Sequence, residues 1–197
     1  MGRTVNYGGG IDNGWALAVS NSTLSGNSSA HGGGIANWWA VTLSNSTLSG
    51  NAGPSGGSAI STYYSWTSVE IKNSILANST AGGTCLEAGG SLTSLGHNLA
   101  DDSSCTAFFN QPGDMNSTAA GLDPAGLKNN GGPTQTIALL PTSVAVDAIP
   151  VSACTDVAGN PVTTDQRGVK RPQGPACDIG AFELVPMGAG LPLTLLQ

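Results

Sequence analysis

Acid–base chemistry needs ionisable side chains held at a set distance, and this sequence offers few candidates among its 12 acidic residues. Cleavage of a glycosidic bond, for example, requires two carboxylates roughly 5 to 10 Å apart. Asp12, Glu70 and Glu87 have no acid partner at a repeating interval, and Asp101 and Asp102 are neighbours that a strand would point to opposite faces. Asp101, Asp102 and Asp114 are the least unsuitable set. His31 and His97 read as turn residues rather than bases. The glycine triplets at residues 8–10 and 32–34 lack the Gly-Lys-Ser and the following helix of a phosphate-cradling loop. No catalytic residue, metal ligand or cofactor is assigned, and the chain is expected not to be an enzyme.

Recognition by aromatic side chains is better represented. Trp15, Trp38, Trp39, Tyr63, Tyr64 and Trp66 fall in one zone that contains all 4 tryptophans. Facing outward, they would form a strip able to bind sugar rings or a partner subunit; facing inward, they would fill a wide corner. Their concentration in one zone favours the contact surface.

The elements that must hold this strip are written as a repeat. GGGIDNGWALAVSNSTLSGN, Gly8 to Asn27, returns as GGGIANWWAVTLSNSTLSGN, Gly32 to Asn51, a shift of 24 residues. A period of this length in a glycine-rich chain is a solenoid signature. Apolar residues two apart, such as Leu17 and Val19 and then Val41 and Leu43, carry the strand period, and Val69, Ile71 and Leu76 continue it after an insertion near Tyr63, Tyr64 and Trp66. Short strands joined by Gly and Asn turns predict an all-β, right-handed parallel β-helix with coils of about 24 residues and a rise of about 4.8 Å. Stacking then predicts two asparagine ladders at the corners, Asn21, Asn45 and Asn73, and Asn27, Asn51 and Asn78, because Asn tolerates left-handed backbone angles and its amide bonds along the stack. The sequons at Asn21, Asn27, Asn45, Asn78 and Asn116 are formal glycan acceptors, but inward corner amides would bar Asn21 and Asn45. Asp12 gives way to Ala36 in the next copy, so no calcium-binding ladder forms. Thr23 and Thr47 would align outward before Ile75 breaks the rank, which disfavours an ice-binding face.

Composition narrows the partners. Six bases against 12 acids give a net charge of −6, with no basic patch for nucleic acid or an anionic membrane surface. Charged residues make up only 9% of the chain while 39% are hydrophobic and recur in register, which argues for a folded chain rather than a disordered one. The 4 cysteines have no zinc-like spacing. Their even count favours two local disulfides in an oxidising compartment, Cys85 with Cys105 and Cys154 with Cys177, over free thiols. Each would contribute about 3 kcal/mol in a chain-entropy account.

The expected organisation is 1–105 as β-helix coils, 106–184 as C-terminal strands and a disulfide-tied cap continuing the solenoid, and 185–197 as an apolar tail too short to span a bilayer. Thr134–Leu140 and Ser143–Ile149 read as strands separated by Pro141, and Thr164–Glu183 as the cap, with Arg167, Lys170 and Arg171 set against Asp165, Asp178 and Glu183 in surface or partly buried ion pairs. The opening MGRTVNYGGG has no apolar run of the signal-peptide type and falls in the middle of a repeat, so an uncapped first coil is expected.

The ordered motifs GGGI, VSNSTLSGN, SLGHNL, NNGGPTQTIALLP and TDQRGVKRPQGPACDIGAFE resemble secreted bacterial β-helix proteins of the choice-of-anchor Q domain type, with repeats similar to those of polymorphic outer-membrane proteins. The resemblance reaches to about Glu183. It implies a secreted or surface-attached solenoid and brings no catalytic residues. The chain departs from the pattern in lacking a long run of preceding coils and a complete anchor.

Three functions follow as expectations. The first is a non-enzymatic extracellular or cell-surface structural protein, forming homo-oligomers or fibres through its coil ends and C-terminal tail. The second is an adhesin-like module that binds surface glycan on the aromatic strip. The third and weakest is a polysaccharide-cleaving enzyme.

Overall fold

The computed structural model describes residues 8–87 and 89–186. Most of the expected apolar tail, residues 187–197, and the expected open start at residues 1–7 lie outside them. Twelve short strands wind through four coils: β1 (Ile11–Asn13), β2 (Ala16–Ser20) and β3 (Thr23–Ser25); β4 (Ile35–Asn37), β5 (Ala40–Ser44) and β6 (Thr47–Ser49); β7 (Ile60–Thr62), β8 (Ser68–Lys72) and β9 (Ile75–Ala77); β10 (Cys85–Glu87), β11 (Ser91–Ser94) and β12 (Leu99–Ala100). The first strands of the coils form one sheet in the order β1-β4-β7-β10, the second strands form β2-β5-β8-β11 and the third β3-β6-β9-β12. All pairs are parallel. This is the parallel β-solenoid that the repeat predicts.

Alternation decides what fills it. Leu43 lies over Val19 and under Ile71, Val41 over Leu17 and under Val69, and Leu48 over Leu24 and under Leu76. These columns face inward and form one core with Ile35, Ile60 and Leu92. Burying each such aliphatic side chain contributes about 1.5–3 kcal/mol. The glycine triplets serve close approach of backbone to backbone as well as turning: a Cβ at Gly33 would sit 2.4 Å from the Ala52 carbonyl oxygen, and one at Gly34 would sit 2.6 Å from that of Ala59.

The third coil is longer than the second. Ile35 pairs with Ile60 but Ala40 pairs with Ser68, so three extra residues enter at the corner between β7 and β8, where Tyr63, Tyr64 and Trp66 stand.

Residues 106–184 differ from the expected cap. Met115 adds one more rung, bonded to Asn98 and Ala100, and then the chain turns back. It lies along the outer face of the third sheet and reaches all four coils. Ile75, Ala77 and Leu99 on that face share a second core with Ala120, Leu139, Ala145, Ile149, Ile179 and Phe182. Hydrogen bonds join Gly180 to Asn73, Ala181 to Thr47 and Thr23 to Gln166. The segment is a flank rather than an end cap. The physical reason is the apolar outer face of β9 and β12, which would otherwise meet water. Thr134–Leu140 and Ser143–Ile149 form isolated bridges and turns instead of strands. With Pro141 and Pro150 unable to donate, the segment cannot sustain a ladder. The flank also covers Thr47, which removes the outward threonine rank altogether.

Inward and outward neighbours should differ sharply. Leu43→Ala is expected to lower unfolding stability by about 2–5 kcal/mol, while Thr42→Ala on the outer face should change it by less than about 0.5 kcal/mol. Guanidinium titration of both variants measures the contrast.

Candidate functional site

The corner between the first and second sheets is set by two buried asparagines that the repeat contains but that sequence reasoning passed over. Asn13 accepts from the Trp15 backbone N–H at 3.3 Å and donates to the Trp15 carbonyl at 2.7 Å and to the Asn37 side-chain oxygen at 2.8 Å. Asn37 repeats this one coil on, accepting from Trp39 N–H at 3.1 Å and donating to the Ser68 carbonyl at 3.0 Å. In the third coil Thr67 takes over, bonding the Tyr64 carbonyl through both its hydroxyl and its N–H. Buried polar groups that are fully bonded specify one geometry, and here that geometry turns the neighbouring aromatic side chains outward. The recurrence of Asn13 as Asn37 was the available signal.

Outside this corner the six aromatic residues gather in one strip across three coils. Trp15 stacks on Trp39 with centroids 5.6 Å apart and planes 10° apart; Trp38 stacks on Tyr63 at 4.2 Å, and Tyr64 on Trp66 at 4.4 Å. Trp38 and Tyr64, 5.8 Å apart, link the second and third of these pairs. Trp15 is 74% exposed, Trp66 62%, Trp39 47% and Tyr64 43%, while Trp38 and Tyr63 are half-buried beneath them. Trp38 Nε1 donates to Asp12 Oδ1 at 2.5 Å, which uses the one acid of the opening repeat as a bracket. In each stacked pair the two rings cover one face of each other. Trp15 and Trp66 keep their second faces clear of any other ring among the described residues.

The remaining singled-out residues serve the scaffold. Asn21, Asn45 and Asn73 follow one another with φ of 45°, 48° and 53°, and His97 takes the next place at 55°. Their amides reach the flank: Asn21 bonds Thr164, Asn45 bonds Thr155, and Asn73 bonds Ala153 and Thr155. Asn45 is buried there, which leaves no room for a sugar on that sequon. Asn27 donates through both backbone and side-chain N–H to Asn51 Oδ1, at 3.0 and 3.1 Å. Asn78 does not join that ladder. It stands at positive φ over Gly50 and Gly26, because the longer third coil shifts the register, and its amide donates to Ser49. Both expected disulfides form, Cys85 with Cys105 in the fourth coil and Cys154 with Cys177 in the flank.

The carboxylates closest to an active-site set are spent on the backbone at the last coil. A ladder runs from Ser22 N–H to Ser46 Oγ, Ser46 N–H to Ser74 Oγ and Ser74 N–H to Asn98 Oδ1, and it ends where Asn98 N–H donates to Asp114 at 2.8 Å. Asp101 accepts from Asn78 N–H at 2.6 Å, and burial pushes its carboxyl up. Asp102 accepts from Thr84 N–H at 2.8 Å and Ser104 N–H at 2.9 Å. Burial opposes its ionisation, but the hydrogen bonds from Ser104 and Thr84 together outweigh it and hold the carboxyl below the usual range. Asp102 and Asp114 take up N–H groups of the last coil, and Asp101 takes up one of the third. His97 stands beside this ladder, and burial lowers its pKa against the pull of Asp114. His31 lies edge-on to Tyr63, with centroids 6.0 Å apart. Glu70 points outward from β8, and the side chain of Glu87 lies outside the described set.

Asp165, Arg171, Asp178 and Glu183 at the end of the flank are buried, while Lys170 is exposed. Arg171 bonds Glu183 at 3.1 Å and the carbonyls of Asp178 and Gly180. Arg167 pairs with Asp165 at 2.7 Å and covers the Phe182 ring. Burial pushes the carboxyls of Asp178 and Glu183 up. A buried pair is costly to break, so this cluster fixes where the flank ends. No family model, no curated protein and no solved structure matches the chain.

A carboxyl held below its unfolded value of about 3.9 favours the folded state above that pH and loses this contribution as pH falls through its own lower value. Thermal melts of Asp102→Asn should therefore lie below those of the native chain at about pH 6 and approach them at about pH 3.

Proposed function

We propose that this chain is a non-enzymatic β-solenoid of the extracellular space or cell surface whose aromatic strip holds a polysaccharide. The observation that carries this reading is the strip itself: four large rings exposed side by side across three coils and held from beneath by Asn13, Asn37 and Thr67. Exposed aromatic rows without a structural partner are costly to keep in water, and they pair well with ligands that offer an apolar face and a polar rim, as sugar rings do. Within the described residues, the engagement of Asp101, Asp102 and Asp114 by backbone donors supports binding over bond cleavage. Two disulfides support an oxidising compartment. No helix among the described residues is long and apolar enough to cross a membrane. The likeness of GGGI, VSNSTLSGN and TDQRGVKRPQGPACDIGAFE to the choice-of-anchor Q type adds a secreted or surface-attached setting to the same reading.

Affinity electrophoresis through gels containing neutral, amino and acidic polysaccharides tests it. The native chain should be retarded by at least one of them, and Trp15→Ala with Trp66→Ala should weaken that binding about tenfold or more, since each lost ring contact is worth about 0.5–1.5 kcal/mol, while the far-ultraviolet circular dichroism of the solenoid stays unchanged. Unretarded migration of the native chain through all three classes would refute the reading.

A further inference from the structure

The flank covers the third sheet and leaves the outer face of the second sheet open toward its first coils. Outward from β2 and β5 point Ala16, Ala18, Ala40 and Thr42, side chains too small to fill the space above the sheet. Two hollows lie on this face and share Ala18 and Thr42. The first, of about 240 Å³, is floored by Ala16, Ala18, Ala40 and Thr42. The second, of about 420 Å³, extends past Ser20 and Ser44 to Glu70 on β8 and to the wall that Asp156, Val157 and Ala158 of the flank raise beside it. Ala16 and Ala40 follow directly on Trp15 and Trp39, so the trough begins where the aromatic strip ends.

Two carboxylates and one cation stand at this trough. Glu70 is exposed and makes no hydrogen bond or ion pair among the described residues. Asp156 accepts from Asn160 N–H at 2.8 Å and Asn160 Nδ2 at 2.9 Å, and these bonds, the side-chain one foremost, keep its carboxyl below the usual range. Lys72 points outward two residues beyond Glu70, but its ammonium donates to Thr155 Oγ1 and to the Asp156 carbonyl. It is held at the flank rather than paired with either carboxylate. The whole chain carries 12 acids against six bases. At the other margin, the clear faces of Trp15 and Trp66 are the negative faces of indole rings, which attract cations.

We propose that the strip and this trough together take a polysaccharide bearing free amino groups, with its sugar faces on the tryptophans and its ammonium groups on Glu70 and Asp156. The proposal rests on the glycan-binding reading of the strip and adds the chemical class of the ligand. An acidic polysaccharide would meet two carboxylates against the single, already engaged ammonium of Lys72, and a neutral one would leave both without a cationic partner.

Isothermal titration with oligomers of glucosamine, N-acetylglucosamine and galacturonate of equal length tests it. The glucosamine oligomer should bind most tightly and lose affinity as salt rises. Glu70→Gln and Asp156→Asn should each weaken it about two- to fivefold and leave binding of the acetylated oligomer unchanged, while Trp15→Ala weakens both. Glu70 has no partner to lose, so E70Q carries the test should D156N prove unstable. Equal binding of the amino and acetylated forms, unmoved by E70Q, overturns the amino-sugar proposal and leaves the strip reading standing. Preference for the uronate overturns it also. Binding of none of the three overturns it, and the electrophoresis panel then decides the strip reading separately.

Discussion

Every feature of this molecule depends on parallel backbone pairing between successive coils. Pairing at a rise of about 4.8 Å places each residue directly over its counterpart, so a property present once in the repeat becomes a column in the structure. Inward leucine, valine and isoleucine become a continuous core. Serine hydroxyls at one corner become a ladder of acceptors for the backbone N–H of the coil before. A tryptophan written at one corner position becomes a stack of indoles. The same pairing leaves the N–H groups of Thr84 and Asn98 at the last coil to side-chain acceptors, Asp102 and Asp114, while Asp101 accepts from Asn78 of the coil before.

The two long outer faces are treated differently, and this difference shapes the candidate site. The third sheet carries Ile75, Ala77 and Leu99 outward, and the chain folds back to bury them under a flank closed by the Cys154–Cys177 disulfide and the buried Arg171–Glu183 pair. The second sheet carries alanine, serine and threonine outward, which need no cover. The flank nevertheless reaches its margin, where the loop at Asp156 forms a wall. The aromatic corner on one side and this wall on the other turn a flat sheet face into a trough.

Much of this was legible from periodicity. The shift from Gly8 to Gly32 and from Asn27 to Asn51 contains the coil length, the inward columns and the stacking of Trp15 on Trp39. Local repetition dictates local geometry, because strand alternation and turn chemistry act over a few residues. The outward direction of the aromatic strip was read from its clustering, but the reason for it, the grip of Asn13 and Asn37 on the corner, required seeing which amides were buried. Asn78 was set in the wrong ladder because the three residues inserted at the Tyr63–Trp66 corner would by themselves place it over Asn51, whereas one further residue gained before Ile60 moves it over Gly50.

What the sequence determined by itself is the solenoid, since each coil needs only its neighbours and states its own strands and turns. What only the tertiary structure decided is where residues 106–184 go. Their apolar residues show that they must be buried but carry no period to say against what, and the answer lies in Ile75 and Leu99, many residues away. The trough follows from that choice. Glu70 and Asp156 face the same hollow only because the flank doubles back along the stack, and contacts of such separation are set by which surfaces need covering rather than by any local pattern of residues.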